Sequence, residues 1–159
     1  MTVRTSAGTT LRIAVAAPAT FDAAGYGLLF PTTPTAANPI IGEITELGEF
    51  GREYTLVTHS PIGTRVIQKQ KGAINAGTMS LQLALSEADL GQIMLKAASQ
   101  SDAAHSFALT AQGGRRVFFR AMVMSFTSNL GGVDSIASGS VTLEITANAA
   151  GVDFVEVAV

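Results

Sequence analysis

The sequence predicts a mainly β fold: an antiparallel β-sandwich or barrel with one flanking α-helix and a long inserted arm. Three observations carry this expectation. Gly77 to Leu85 sets Met79, Leu81, Leu83 and Leu85 on one side and Thr78, Ser80, Gln82 and Ala84 on the other, the period of two of a half-buried strand. Further segments repeat that alternation, and only Ser86 to Ala98 carries a helical period, which favours an antiparallel arrangement over alternating β-α units. Residues 48–76 are polar and glycine-punctuated between two strand patterns, so they read as an arm inserted into one domain spanning residues 1–159.

The first strand is expected over Thr10 to Ala17, with Leu11, Ile13 and Val15 on one side and Pro18 as its boundary. The next segment runs through Phe30-Pro31-Thr32-Thr33-Pro34 to Asn38-Pro39. It is rich in Gly, Ala, Thr and Pro and predicts an irregular surface connection with at most short elements. Ile40 to Leu47 resumes a strand pattern, but Ile41 and Ile44 do not share a two-residue face, which points to a bulge or an end effect. Within the arm, Tyr54 to Thr58 and Thr64 to Gln68 are expected to flank the turn residues Pro61 and Gly63 as a protruding hairpin. Val66 and Gln68 would share one face and Ile67 and Lys69 the other. Two strands alone are marginal in water, so packing against another copy would stabilise them.

Ser86 is the expected cap of the helix, with Asp89 closing an acidic capping box and Leu90, Ile93, Met94 and Ala97 as the apolar face. Lys96 stands late, where a positive charge suits the helix dipole. Ser106 to Thr110 and Val117 to Phe126 then read as strands around Gly113-Gly114. Without a bulge, Val117, Phe119, Ala121, Val123 and Ser125 lie opposite Phe118, Arg120, Met122 and Met124. Beyond the break at Asn129 to Gly132, Ser140 to Thr146 sets Val141, Leu143 and Ile145 against Thr142, Glu144 and Thr146. Val152 to Val159 adds an edge strand or a partner-binding tail.

The chain has 159 residues, 47% of them hydrophobic, and a net charge of -2, enough to bury one sizeable core. It has no cysteine, which excludes a disulfide scaffold, a thiol nucleophile and a zinc-thiolate site. Met1-Thr2-Val3-Arg4-Thr5 lacks the basic and apolar regions of a secretory signal, and no apolar run nears the roughly 18 residues of a membrane span, so synthesis and folding in the cytosol are expected. The slightly acidic balance argues against a general phosphate binder.

Catalytic patterns are thin. His59 and His105 are the only histidines and sit in no metal or protease motif, so each reads as a polar contact. Glu43 and Glu46 read as a charged strand edge, because no local feature supplies a cleft beside them. Gly8-Thr9-Thr10, Gly48-Glu49-Phe50-Gly51 and Gly113-Gly114-Arg115 lack the Lys-Ser or Lys-Thr of a phosphate loop and read as turns. Phe118, Phe119 and Phe126 are sheet core, and Met122 and Met124 are core or interface fillers. Neither an enzyme nor a cofactor or metal is expected. Charge is nonetheless segregated along the chain: Glu43, Glu46, Glu49 and Glu53, then Arg65, Lys69 and Lys71, then Arg115, Arg116 and Arg120. Solvated surface explains each cluster alone; complementary faces of neighbouring subunits explain them together.

In the order of its segments the chain resembles the major tail tube proteins of long, non-contractile-tailed bacteriophages. The resemblance covers most of the chain. It starts at Ser6-Ala7-Gly8-Thr9-Thr10-Leu11 and continues through Ile44-Thr45-Glu46-Leu47-Gly48-Glu49-Phe50, the arm at 48–76 and Gly77-Thr78-Met79-Ser80-Leu81. The helix after Leu85, Phe119-Arg120-Ala121 and Ser138-Gly139-Ser140-Val141-Thr142 complete it. No immunoglobulin-like domain of the kind some such proteins carry is expected within these 159 residues, and the arm is less acidic than in some relatives.

The resemblance implies a β-sandwich flanked by a helix, six copies closing into a ring, and rings stacking into a hollow tube for DNA passage. The implied place is the virion tail, after synthesis in the bacterial host cytoplasm. Tail tip, tape-measure and tail-terminator proteins would be the other partners. A neutral or negative lumen would let DNA pass without sticking, which makes Glu43, Glu46 and Glu49 candidates for that surface. Arg65, Lys69 and Lys71 are candidates for contacts with the next subunit or ring. A virion decoration or receptor-binding module is the alternative with the same β-rich composition.

Overall fold

A computed structural model describes residues 3–158; Met1-Thr2 and the expected reach of the last strand to Val159 lie outside the described residues. In chain order the elements are β1 (Thr10–Ala14), α1 (Ala23–Leu29), β2 (Ile44–Leu47), β3 (Glu53–His59), β4 (Gln68–Asn75), β5 (Thr78–Ala84), α2 (Leu90–Ala98), β6 (His105–Thr110), β7 (Arg116–Asn129), β8 (Ser138–Thr146) and β9 (Phe154–Val157). The fold is mainly β and antiparallel. The main sheet has the order β1-β6-β7-β8-β5-β2 with β9 added on β7, and β3 and β4 form a separate hairpin.

Alternation in the sequence becomes two-sided packing. The inner face collects Leu11 and Ile13, Met79, Leu81 and Leu83, Phe107 and Leu109, Val117, Phe119, Ala121 and Val123, and Val141, Leu143 and Ile145, all buried. Leu95 and Ala98 of α2 join the same core. Each fully buried side chain of this size stabilises the fold by about 1.5–3 kcal/mol relative to exposure. Phe118 faces the other way. It stacks on Tyr26 of α1 at 5.2 Å and, with Phe30, Ala14 and Ala108, builds a second core on the outer face.

That second core explains α1, which the Gly- and Thr-rich composition of its segment obscured. Asp22 caps the helix by accepting from the Gly25 N–H at 2.7 Å, and Tyr26 then plugs the outer face. The loop after α1 is pinned by Arg12, itself buried on β1. Its guanidinium donates to the carbonyls of Pro31 (2.6 Å) and Asn38 (3.0 Å) and to the Asn38 side chain, and it lies over the Phe30 ring. These acceptors offset the desolvation of a buried charge.

The expected strand over Ile40 to Leu47 is two pieces with different partners. The Ile13 N–H donates to Pro39 and the Ile41 N–H to Leu11, so residues 39–41 run beside β1. Glu43 then adopts φ 57, a left-handed backbone costly for a non-glycine residue, and Ile44–Leu47 pairs with β5 instead. One segment thus ties the two ends of the sheet together and curls it around the core. The out-of-phase Ile41 and Ile44 mark this change of partner.

Other differences also have physical reasons. β1 ends at Ala14, leaving Val15 exposed. The helix starts later than expected: Asp89, not Ser86, is the cap, accepting from the Gln92 N–H at 2.8 Å. Its buried face is Gly91, Gln92, Leu95 and Ala98, whereas Leu90 and Ile93 are exposed. The helix rotates because the Gly91 position lies against the 40–41 backbone, where a Cβ would stand 2.3 Å from the Ile40 carbonyl oxygen. In β7 a bulge between Val123 and Ser125 resets the alternation, so Phe126 turns inward and Met124 outward.

Candidate assembly surfaces

The hairpin is the most solvent-exposed of the regular elements among the described residues. No residue of β3 is buried, and β4 contributes only the half-buried Gly72. Its second strand is Gln68–Asn75 rather than the expected Thr64 to Gln68, because the turn is wider: residues 60–67 form the tip. Val66 and Ile67 therefore sit in the tip, exposed beside the fully exposed Ile62. A hairpin with exposed Leu56, Val57, Ile62, Val66, Ile67 and Ile74 lacks a core of its own.

Its root, in contrast, is fixed. Arg52 makes a two-pronged ion pair with Asp153, 2.6 Å on each side, and its guanidinium stacks over Phe154. Phe50 packs on the same ring, which in turn meets Phe119 of the inner core. The Arg52 hydrogen bond holds the Asp153 carboxyl below its ordinary value, and the same bond raises Arg52. Residues 101 apart in sequence give no local signal for this contact.

A second surface is the outward face of the β2, β5, β8 and β7 half, which no helix covers. Its registers align Glu46 with Gln82, Gln82 with Ser140, and Ser140 with Thr127; parallel rows hold Ser80, Thr142 and Ser125, then Thr78, Glu144 and Met122. Thr78 donates to Glu144 at 2.7 Å and Gln82 to Ser140 at 3.3 Å. Arg120 closes one end, donating to the Ala104 carbonyl. Apart from Met122, the rows are hydroxyls, amides and carboxylates, with no lysine. The polar side of the Ser140 to Thr146 segment was the sequence signal for this face.

The expected acidic set is divided. Glu46 belongs to the polar face, Glu43 sits at the backbone switch, and Glu49 lies in the arm between β2 and β3; all three are exposed. Among the basic set, Lys69 and Lys71 are on β4 and Arg65 is in the tip, again all exposed. Lys71 is not free of its own subunit: its ammonium stands 4.4 Å from the centre of the Tyr54 ring. The ion pairs formed among the described residues are Arg52 with Asp153 and Arg115 with Glu156, so neither set is neutralised within the subunit.

Among the described residues no cluster of three or more His, Asp or Glu side chains could hold a metal ion. His105 is buried with Nδ1 2.9 Å from the Ala103 carbonyl, and His59 lies on the exposed hairpin opposite Gln68. No helix is long and apolar enough to cross a membrane among the described residues.

A second buried polar junction, beside that of Arg12 and Asn38, lies at the start of α2. Gln92 is buried; its Nε2 donates to the Gly42 and Ala84 carbonyls (3.1 and 2.9 Å), and its Oε1 accepts from the Ser86 N–H (2.9 Å). Asp89 adds an acceptor for the Gly42 N–H at 3.1 Å. This junction locks the 39–47 segment, α2 and the end of β5 together.

No family model matches the chain, and no curated protein matches it in sequence. Solved structures match it in fold. A chain of the anti-feeding prophage (AFP) baseplate, determined by cryo-EM with 6-fold symmetrisation, superposes with a TM-score of 0.62 at 12% identity over 99% of this chain and 97% of that one. A chain of the SPP1 tail tube, determined by solid-state NMR and cryo-EM, gives 0.58 at 13% identity over 93% and 75%. The chain shares the fold of a baseplate chain and of a tail-tube chain.

Proposed function

We propose that this protein is a structural subunit that closes into six-membered rings, and that the rings stack into a hollow virion tail tube through which DNA passes. The observation that carries this reading is the hairpin: an arm with solvent on both faces, no core of its own and a rigidly fixed root is built to be covered by another copy. The shared fold supports the same conclusion. The uncovered polar face supplies a surface suited to a lumen, because Glu46 and Glu144 among hydroxyls repel phosphates weakly and offer no lysine to hold them. Glu43 and Glu49 extend that acidic character, and Arg65, Lys69 and Lys71 serve contacts between copies. The tail tip, tape-measure and tail-terminator proteins would meet the ends and interior of such a tube.

Negative-stain microscopy of the purified protein tests this. Stacked annular particles with sixfold rotational symmetry are expected, together with strong hydrogen-exchange protection of residues 48–76 on assembly. A protein that stays monomeric across assembly conditions, with an initiating complex supplied, refutes the reading. Isolated trimers would point instead to a decoration or receptor-binding module.

A further inference from the structure

A cleft of about 620 Å³ opens between α2, the end of β7 and the 130–137 loop. Its lining includes Leu85, Ile93, Phe126 and Leu130, with Glu87 and Lys96 also at the cleft. Ile93 and Leu130 are largely exposed although they are apolar, and Val133 and Ile136 extend the exposed apolar surface along the loop. Among the described residues none fills this space.

The arm tip has the matching chemistry. Ile62, Val66 and Ile67 are exposed aliphatic side chains that belong to neither core cluster, and Arg65 among them is opposite in charge to Glu87. No arm residue is among those lining the cleft, so the subunit's own tip does not occupy it. The arm leaves and re-enters the sheet at the start of β5, where Gly48 bonds to Ser80 and β4 ends at Asn75. The cleft lies at the other end of the same strands, beside Leu85 just past β5 and Ala137 just before β8. The seven residues of β5 separate the two ends by roughly 23 Å at about 3.3 Å per residue. A tip and a cleft are two different surfaces, so their contact between copies is heterologous, the kind that propagates or closes into rings.

We infer that the cleft between α2 and the 130–137 loop is the socket for the arm tip of a second copy, with Ile62 as the inserted side chain and Arg65 paired with Glu87. This rests on the self-association proposed above. It adds which surface receives the arm, and that the contact is directional.

The absence of native cysteine makes a clean test. Ile62→Cys protein is mixed under mild oxidation with tagged Ile93→Cys protein, and in parallel with tagged Val15→Cys protein, whose cysteine is exposed at the end of β1. The Ile62–Ile93 mixed disulfide is expected to form at least about 10-fold faster than the Ile62–Val15 control, because docking raises the local thiol concentration. Equal rates in preparations that form tubes overturn the socket and leave the tube reading standing. Equal rates with no particles by microscopy overturn both. A chain carrying both Ile62→Cys and Ile93→Cys that closes on itself at high dilution also overturns the inference, since the arm would then fill its own cleft.

Discussion

Replacing Gln92 by Leu removes the polar junction that joins the sheet-closing segment to α2 while keeping most of the side-chain volume. Three hydrogen bonds go, at 2.9, 2.9 and 3.1 Å, and the Ser86 N–H and the Gly42 and Ala84 carbonyls lose that partner. A stripped buried group costs about 1–3 kcal/mol, and the neighbouring cleft gives water access to part of the site, so a total loss of about 2–4 kcal/mol is expected. For a chain of this size that corresponds to a fall in Tm of about 5–15 °C. Urea unfolding followed by circular dichroism measures it, with a lower midpoint at unchanged slope as the signature. The Gly42 to Leu47 stretch should gain hydrogen exchange before the rest of the sheet. A loss below about 1 kcal/mol, the range of an ordinary surface substitution, would refute the claim that this junction locks the closing segment.

At the arm root, Asp153→Asn should cost about 0–1 kcal/mol at neutral pH, because Arg52 is partly exposed and solvent screens the pair. The Asp153 carboxyl is depressed in the folded state, so its contribution is present above the ordinary carboxylate range and is lost as pH falls through the lowered folded value. The stability gap between parent and variant should therefore close in acid; a gap constant from about pH 7 to about pH 2 would remove the ion pair as its cause. Replacing Arg65, Lys69 and Lys71 together with Ser should leave circular dichroism near the parent while sedimentation shows fewer large assemblies, each exposed charge pair contributing only about 0–1 kcal/mol but repeating in every subunit. The Lys71 contact with Tyr54 adds about 0.5–1 kcal/mol to the hairpin itself, so Arg65→Ser with Lys69→Ser alone separates assembly from arm stability. Normal assembly at physiological salt would sink the assignment of these residues.

Residues whose environment repeats along the chain were legible in the sequence. Met79, Leu81 and Leu83, and Val141, Leu143 and Ile145, alternate because a sheet with one buried face imposes a period of two, and the structure buries them as that period requires. The arm was legible as a region, since a stretch without a consistent apolar face cannot fold into the core. Its second strand was misplaced by several residues, because Val66-Ile67 suits a strand locally while pairing with β3 selects Gln68–Asn75. The turn of α2 was equally hidden: Leu90 and Ile93 fit a helical apolar stripe, but contact of Gly91 with the 40–41 backbone turns Gln92 and Leu95 inward. Only the tertiary structure placed Asp89 against Gly42, Arg52 against Asp153 and Arg12 against Asn38, contacts between residues 47, 101 and 26 positions apart. Periodicity reports what one element buries; the partner it buries against, and the faces left bare for other copies, are set by how distant segments meet.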